Sequence, residues 1–417
     1  MEELDIAIIG GGAAGLTAAA FAGEAAGGRL RIAVLDGARK LGAKILVSGG
    51  GRCNVTHRAV TPKDYWGGPQ PMVRSVLRAF DEHRTVEWMR GLGVELKTEE
   101  TGKLFPVTDS ARTVLDALLG AVERTGAEIR TGCRVDRIEP GSVWAITMSA
   151  GTTYQARCLI MATGGLSLPK SGSDGWGLQE LRRLGHAILP TTAALSPLVL
   201  RQVPGPAGAF AELSGVTIKA RLRVEDEGGR ELFEWCDSLL FTHFGLSGPT
   251  ALNASRHYLQ AAKGGKPKLF WGLPEFPTVE ASDQWLRAQA ADHPKRSLSS
   301  VLAYVLPERA AGIWGDDTPM AQLPRERRRQ VAESLARLEL TVQGDRGYAF
   351  AETTAGGVSL REIDPSTMES RILPGLHLCG EMIDVDGRLG GFNFQWAWAS
   401  GYLAGRAAVK ALLSPQS

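Results

Sequence analysis

Two hydrophobic patterns alternate along the first part of the chain. Short continuous apolar runs, rich in β-branched residues, stand at Leu4–Ile9, Leu30–Asp36 and Cys158–Ala162. Runs of that length without polar alternation predict parallel strands buried on both faces. Between the first two lies Leu16–Ala26, an Ala-rich stretch stopped by Gly27 and Gly28, which predicts a helix. Strand, helix and strand make one βαβ unit. Further on, apolar positions recur at helical spacing. Val73, Val76, Leu77, Phe80, Trp88 and Leu92 predict a helix over 72–92, and Val114, Leu115, Leu118, Leu119 and Val122 a second over 113–125. Short strands are expected at 94–97, 103–106, 128–130 and 134–138, with a hairpin over 143–157.

The pattern changes near Pro190. Alternating strands follow, as at Val216–Leu222, and residues 277–340 read as polar helices. From 346 the first style returns, with a strand at Leu376–Cys379, a Gly-rich turn and a final Ala-rich helix over Gln395–Leu413. The expected fold is α/β: a discontinuous Rossmann-like dinucleotide-binding domain, 1–190 and 346–417, interrupted by an inserted domain over 191–345. That insertion reads as β-rich to about 275 and helical beyond.

Composition narrows the class. At 417 residues the chain is too long for one ordinary core, and two or three domains are expected. The formal net charge of +2 gives no general pull toward nucleic acid or anionic membrane. Within 191–345 the 18 basic and 18 acidic residues balance, so Arg325–Arg329 reads as a solvated helix face sooner than as a contact for RNA phosphates. The five cysteines include no CxxC pair, which argues against a disulfide framework, a zinc site or a redox dithiol. The acidic start and the lack of a long apolar run predict a cytoplasmic protein without a membrane span or metal.

Four glycine-rich segments carry the chemistry. Gly10-Gly11-Gly12-Ala13-Ala14-Gly15 is a GxGxxG between a predicted strand and helix. Gly10 permits the turn, Gly12 lets a pyrophosphate approach the backbone, and Gly15 lets the helix pack on the strand. Asp36 ends the second strand, 21 positions after Gly15, where a carboxylate accepts from ribose hydroxyls. Ser48-Gly49-Gly50-Gly51-Arg52-Cys53-Asn54 predicts backbone lying directly against a flat ring or a phosphate. Ala162-Thr163-Gly164 ends a buried strand. Gly380-Glu381 and Gly391-Phe392-Asn393 offer a carboxylate for ribityl hydroxyls and helix-start amides for a flavin pyrimidine edge. These three later segments favour FAD over NAD. A second GxGxxG is missing, so the electrons are expected from NAD(P)H docked only transiently, or from the substrate.

The segments IIGGGAAGLTAA (8–19), GAKILVSGGGRCNVT (42–56), LIMATGGLSLPKSGSDGWG (159–177), LLFTHFGLSGPTAL (239–252) and HLCGEMIDVDGRLGGFNFQWAWASGYLAG (377–405) carry a resemblance. The chain resembles the bacterial aminoacetone-oxidase-like, or BaiN-like, FAD flavoproteins of the glutathione-reductase-type superfamily. The resemblance implies an FAD-binding domain with a two-part insertion. It implies that Gly10, Gly12, Ala14, Gly15, Asp36, Lys44, the 48–54 loop, Val135, Ala162 to Gly164, Glu381 and Gly391 to Asn393 line FAD, Val135 meeting adenine through its backbone. Family activities include oxidation of small amines such as aminoacetone, reduction of bile-acid-like steroids, and dihydrouridine formation in large-subunit (23S) ribosomal RNA. The last is slightly favoured.

Two side chains stand out for proton transfer. Cys53 closes the glycine-rich loop, and His243 sits in the rigid Thr242–Pro249 segment. Arg52 reads equally as a partner for flavin or phosphate charge and as a plain salt bridge. Phe392, Phe394, Trp396 and Trp398 read as core. An FAD-binding scaffold or RNA-binding protein with little turnover, and an NAD dehydrogenase without flavin, stay open at this level.

Overall fold

The computed structural model describes residues 2–201 and 209–414. It divides into two compact units, Met1–Thr192 with Glu352–Ser417, and Ala193–Ala351. Among the described residues no helix is long and apolar enough to cross a membrane.

The first unit is built on one twisted sheet. Strand β1 (Glu2–Ile9) lies between β2 (Ile32–Asp36) and the long strand Thr153–Met161, parallel to both. Glu128–Thr131 extends the sheet beyond β2. The long strand has two roles. Thr153–Ala156 pair antiparallel with Trp144–Ala145-Ile146-Thr147, while Leu159–Met161 pair parallel with Leu376–Leu378. The expected hairpin arm and the expected buried strand at 158–162 are therefore one continuous strand. Its change of partner explains the change from alternating to continuous apolar residues.

Helix α1 (Ala13–Ala26) crosses from β1 to β2 and packs against the C-terminal helix, Phe392–Leu413. The contact needs small residues. A Cβ on Gly401 would lie 2.6 Å from Ala14 O, and one on Gly405 2.3 Å from Ala18 O. The terminal helix begins at Phe392 instead of Gln395, because Gly391 (φ +91°) supplies the left-handed turn that starts it. The helix expected over 72–92 is two, Gln70–Ala79 and Glu82–Gly91. Asp81 breaks it by capping the second: its carboxylate accepts from Arg84 N at 2.9 Å.

The second unit is an antiparallel seven-stranded sheet. Its order is Leu338–Leu340, Lys268–Gly272, Thr217–Glu225, Glu231–Thr242, Gly245–Ser247, Leu198–Leu200 and Val342–Asp345. Its core stacks Trp271 on Trp314 (centroids 5.3 Å) and Phe210 on Phe241 (5.3 Å). On the helix Arg325–Ala336 the basic run is neutralised locally. Arg327 pairs with Asp316, Arg328 with Asp283 and Arg329 with Glu333.

Candidate dinucleotide-binding site

The site grows from the end of β1. Gly10 adopts φ +105°, and a Cβ there would lie 2.5 Å from Ala162 O, so only glycine can turn against the neighbouring strand end. A Cβ on Gly15 would sit 1.8 Å from Gly10 O, which is how closely α1 rests on the turn. Gly12 differs: a Cβ there would meet nothing within 4 Å. It faces open space at the start of α1, where unpaired N–H groups point outward and the helix dipole favours an anion.

Asp36 closes this turn. One carboxylate oxygen accepts from Gly11 N (2.6 Å) and the other from Ala38 N (2.7 Å). Cys133 N donates to Asp36 O at 2.7 Å, which brings the strand start at Val135 to the same end of the sheet. Val135 is buried and pairs with Met148, and its strand is irregular just after it.

A second cluster surrounds Glu381. Its Oε1 accepts from Ser167 Oγ (2.8 Å), Thr354 Oγ1 (2.8 Å) and Thr354 N (3.1 Å). Its Oε2 pairs with Lys44, which also donates to Ser167 Oγ at 2.7 Å. Gly380, at φ +77°, brings this carboxylate to the glycine turn, since a Cβ there would meet Ala14 Cβ at 2.8 Å. Gly164, at φ +72°, turns the chain after Ala162 and Thr163. Thr163 Oγ1 is buried without a hydrogen-bond partner.

The loop 48–54 is a run of left-handed backbone: Gly49 φ +56°, Gly50 +70°, Gly51 +86° and Cys53 +61°. Gly50 has nothing within 4 Å of where a side chain would begin, and Gly51 has only Leu46 O at 3.8 Å. Asn54 ties this loop to the terminal helix. With its amide oriented to satisfy both ends, Asn54 donates to Thr56 O (2.9 Å) and Leu104 O (3.2 Å) and accepts from Gly391 N (3.1 Å). Asn393 holds the preceding turn through Gly387 N (2.8 Å) and Gly387 O (3.0 Å). Phe392 is fully buried between the His57 ring (5.0 Å) and the Arg388 guanidinium (4.0 Å).

The sequence-derived candidates thus assemble unevenly. The turn at 10–15, Asp36, Lys44, the segment 162–164 and Gly380-Glu381 are joined by direct contacts, and Ser48–Asn54 joins Gly391–Asn393. Arg52 forms the salt bridge of its two readings. It pairs with Glu99 (2.7 Å) and Asp109 (3.6 Å) and lies over the Phe105 ring (4.0 Å). Cys53 is fully buried, and burial pushes its thiol up to about 12 despite a contact with Ser48. His243 belongs to the second unit, where it is exposed beside Phe244. Ser167 and Thr354 complete the Glu381 cluster and were not singled out from sequence. Lone hydroxyls far apart in the chain leave no spacing signal.

The first unit thus carries a Rossmann-type turn with one open glycine, a carboxylate at the end of the second strand and a second, partly buried carboxylate cluster. The family model described as "HI0933-like protein Rossmann domain" matches residues 4–407. The chain belongs to this family. A ribosomal RNA dihydrouridine synthase of Escherichia coli K12 is 33% identical over 416 residues, covering 99% of both chains. A 3-dehydro-bile acid delta(4,6)-reductase of Clostridium scindens is 32% identical, covering 97% of this chain and 99% of its own. The Haemophilus influenzae ribosomal RNA dihydrouridine synthase is 33% identical over 404 residues. Among solved structures, a 3-ketosteroid-delta4-(5alpha)-dehydrogenase from Rhodococcus jostii RHA1 superposes with a TM-score of 0.51 at 14% identity. It covers 98% of this chain and 97% of its own, a likeness of fold. With these relatives, this HI0933-like chain is an enzyme of the FAD-dependent oxidoreductase class.

Proposed function

We propose that this enzyme reduces a carbon–carbon double bond conjugated to a carbonyl, and that the bond is the C5=C6 bond of uridine in large-subunit ribosomal RNA. The observation that carries the reading is the end-to-end similarity, at 33% identity over 99% of both chains, to a protein named for that conversion. The bile-acid reductase relative supports the same chemistry on a different skeleton. Uracil and a dienone steroid both accept hydride at a carbon β to a carbonyl and a proton at the α carbon. A steroid-like substrate is the second reading. Oxidation of a small amine is weaker, because these relatives' names denote reductions.

The residues fit FAD. Gly12 presents a face with no side chain, Thr163 Oγ1 awaits a partner, and Gly50 and Gly51 leave bare backbone open. In this assignment Asp36 and Val135 hold the adenosine end, and the 10–15 turn with Ala14 holds the pyrophosphate. Lys44 and Glu381 meet the ribityl chain, and Ser48–Asn54 with Gly391–Asn393 frame the ring. When bound, FAD supplies the hydride, taken from NAD(P)H as a transient donor.

The chain's own work is positioning and proton delivery. In this assignment the amides after Gly391 at the start of the terminal helix would hold the pyrimidine edge of the ring, where the dipole would offset negative charge. The Cys53 thiol is fully buried, so its role here is packing. We keep His243, exposed on a tight turn of the second unit, as the proposed general acid.

The purified protein should show visible flavin absorption that NADPH or NADH bleaches. Ribosomal RNA from a deletion strain should lack one dihydrouridine. Unchanged dihydrouridine content would end the RNA reading and leave the steroid-like one to be tested with an enone.

A further inference from the structure

In the second unit, two segments lean on the same short strand, Leu198–Leu200. Leu200 N donates to Phe244 O at 3.0 Å, and Arg346 N donates to Pro197 O at 3.2 Å. This shared anchor sets their side chains together. The Arg346 guanidinium lies over the Phe244 ring at 4.7 Å and over the Phe350 ring at 3.5 Å. Phe350 is held by a turn in which its N–H donates to Gly347 O at 3.0 Å. His243 meets the Phe244 ring edge-on, centroids 5.1 Å apart.

The stack is open. Phe350 is 48% exposed, and Arg346 and His243 are exposed as well. The nearest acid in sequence, Asp345, turns its carboxylate to Gly347 N (3.0 Å), and among the described residues no carboxylate pairs with Arg346. An exposed aromatic face beside an uncompensated guanidinium suits a ligand with a flat ring and an adjacent anion. A nucleotide has both, since bases stack on aromatic faces and phosphates accept from arginine. A steroid offers no anion to the guanidinium at its ring system.

We propose that Phe244, Arg346 and Phe350, with His243 at their edge, form a platform for one single-stranded nucleotide of RNA. The base stacks on Phe350 and the phosphate meets Arg346. The proposal rests on the ribosomal RNA reading and gives it a contact surface.

The test uses the full-length, flavin-loaded protein and a labelled, uridine-rich single-stranded RNA, titrated by fluorescence anisotropy at several salt concentrations. Phe350→Ala should weaken binding about tenfold and leave the salt dependence unchanged. Arg346→Gln should flatten the salt dependence by about one phosphate contact. Flavin spectrum and melting temperature report folding; if Phe350→Ala melts early, Phe350→Leu replaces it and should still weaken binding. Failure of the wild type to bind, or equal binding by both variants, overturns the platform. So does a concentration-dependent dimer that Phe350→Ala abolishes with RNA affinity intact, which assigns the patch to a second copy. Unchanged ribosomal dihydrouridine in a deletion strain would instead end the functional reading; variant-sensitive RNA binding would then keep the platform for another RNA.

Discussion

The two units present chemistry in opposite ways. In the first, what is offered is bare backbone: Gly12, Gly50 and Gly51 face open space, and carboxylates hold turns in place around them. In the second, what is offered is side chains, with Phe350, Arg346 and His243 exposed on turns of an antiparallel sheet. Backbone recognition demands particular φ values and close approaches, so it tolerates few residue types. Side-chain recognition demands only that two turns meet. The first kind should be fragile to substitution and the second graded.

The largest expected effect attacks the backbone cradle. Gly15→Val forces a Cβ to within 1.8 Å of Gly10 O, which should cost about 3 kcal/mol or more and release the flavin. Thermal melting and flavin content per chain would measure it; a variant that melts normally and keeps its flavin would break the comparison. Next, Glu381→Gln removes the charge that Lys44 faces in a partly buried cluster. A loss of about 2 kcal/mol is expected, with flavin affinity down roughly tenfold.

Cys53→Ala should cost about 1 kcal/mol by loss of a small buried group and leave turnover unchanged. A large fall in turnover at normal stability would return Cys53 to the chemistry. The same thiol gives a pH test. Its folded value is raised from 9.0 to about 12, so its contribution is complete below pH 9 and declines as pH rises toward 12. Cys158 and Cys379 are raised to about 12 in the same way by burial, so alkaline unfolding should be shared among the three. Smallest of all, Arg52→Ala breaks a solvent-exposed ion pair and should change stability by at most about 1 kcal/mol.

The same contrast governs what could be read in advance. The turn at Gly10–Gly15 and Asp36 were legible because backbone geometry imposes residue type at fixed spacing. The strand at 158–161 was legible because burial on both faces leaves an unbroken apolar run. The break at Asp81 was missed, since the apolar stripe runs on across it and only a local cap marks the boundary. Ser167 and Thr354 were invisible, because a hydroxyl that serves a carboxylate 214 or even 27 residues away carries no local pattern. The stack of Arg346 on Phe244 and Phe350 depends on two turns sharing one strand, a fact of pairing and not of periodicity.

Lys44 and Glu381 are separated by 337 positions, yet they meet in one ion pair. Synthesis runs from the N-terminus, so the glycine turn and its helix leave the ribosome long before the carboxylate that completes the cluster. Until then the lysine has no counter-charge, and the strand Leu376–Leu378 is missing from the sheet edge. In the proposed assignment, the flavin's ribityl contacts are therefore complete only once the segment carrying Glu381 has been made.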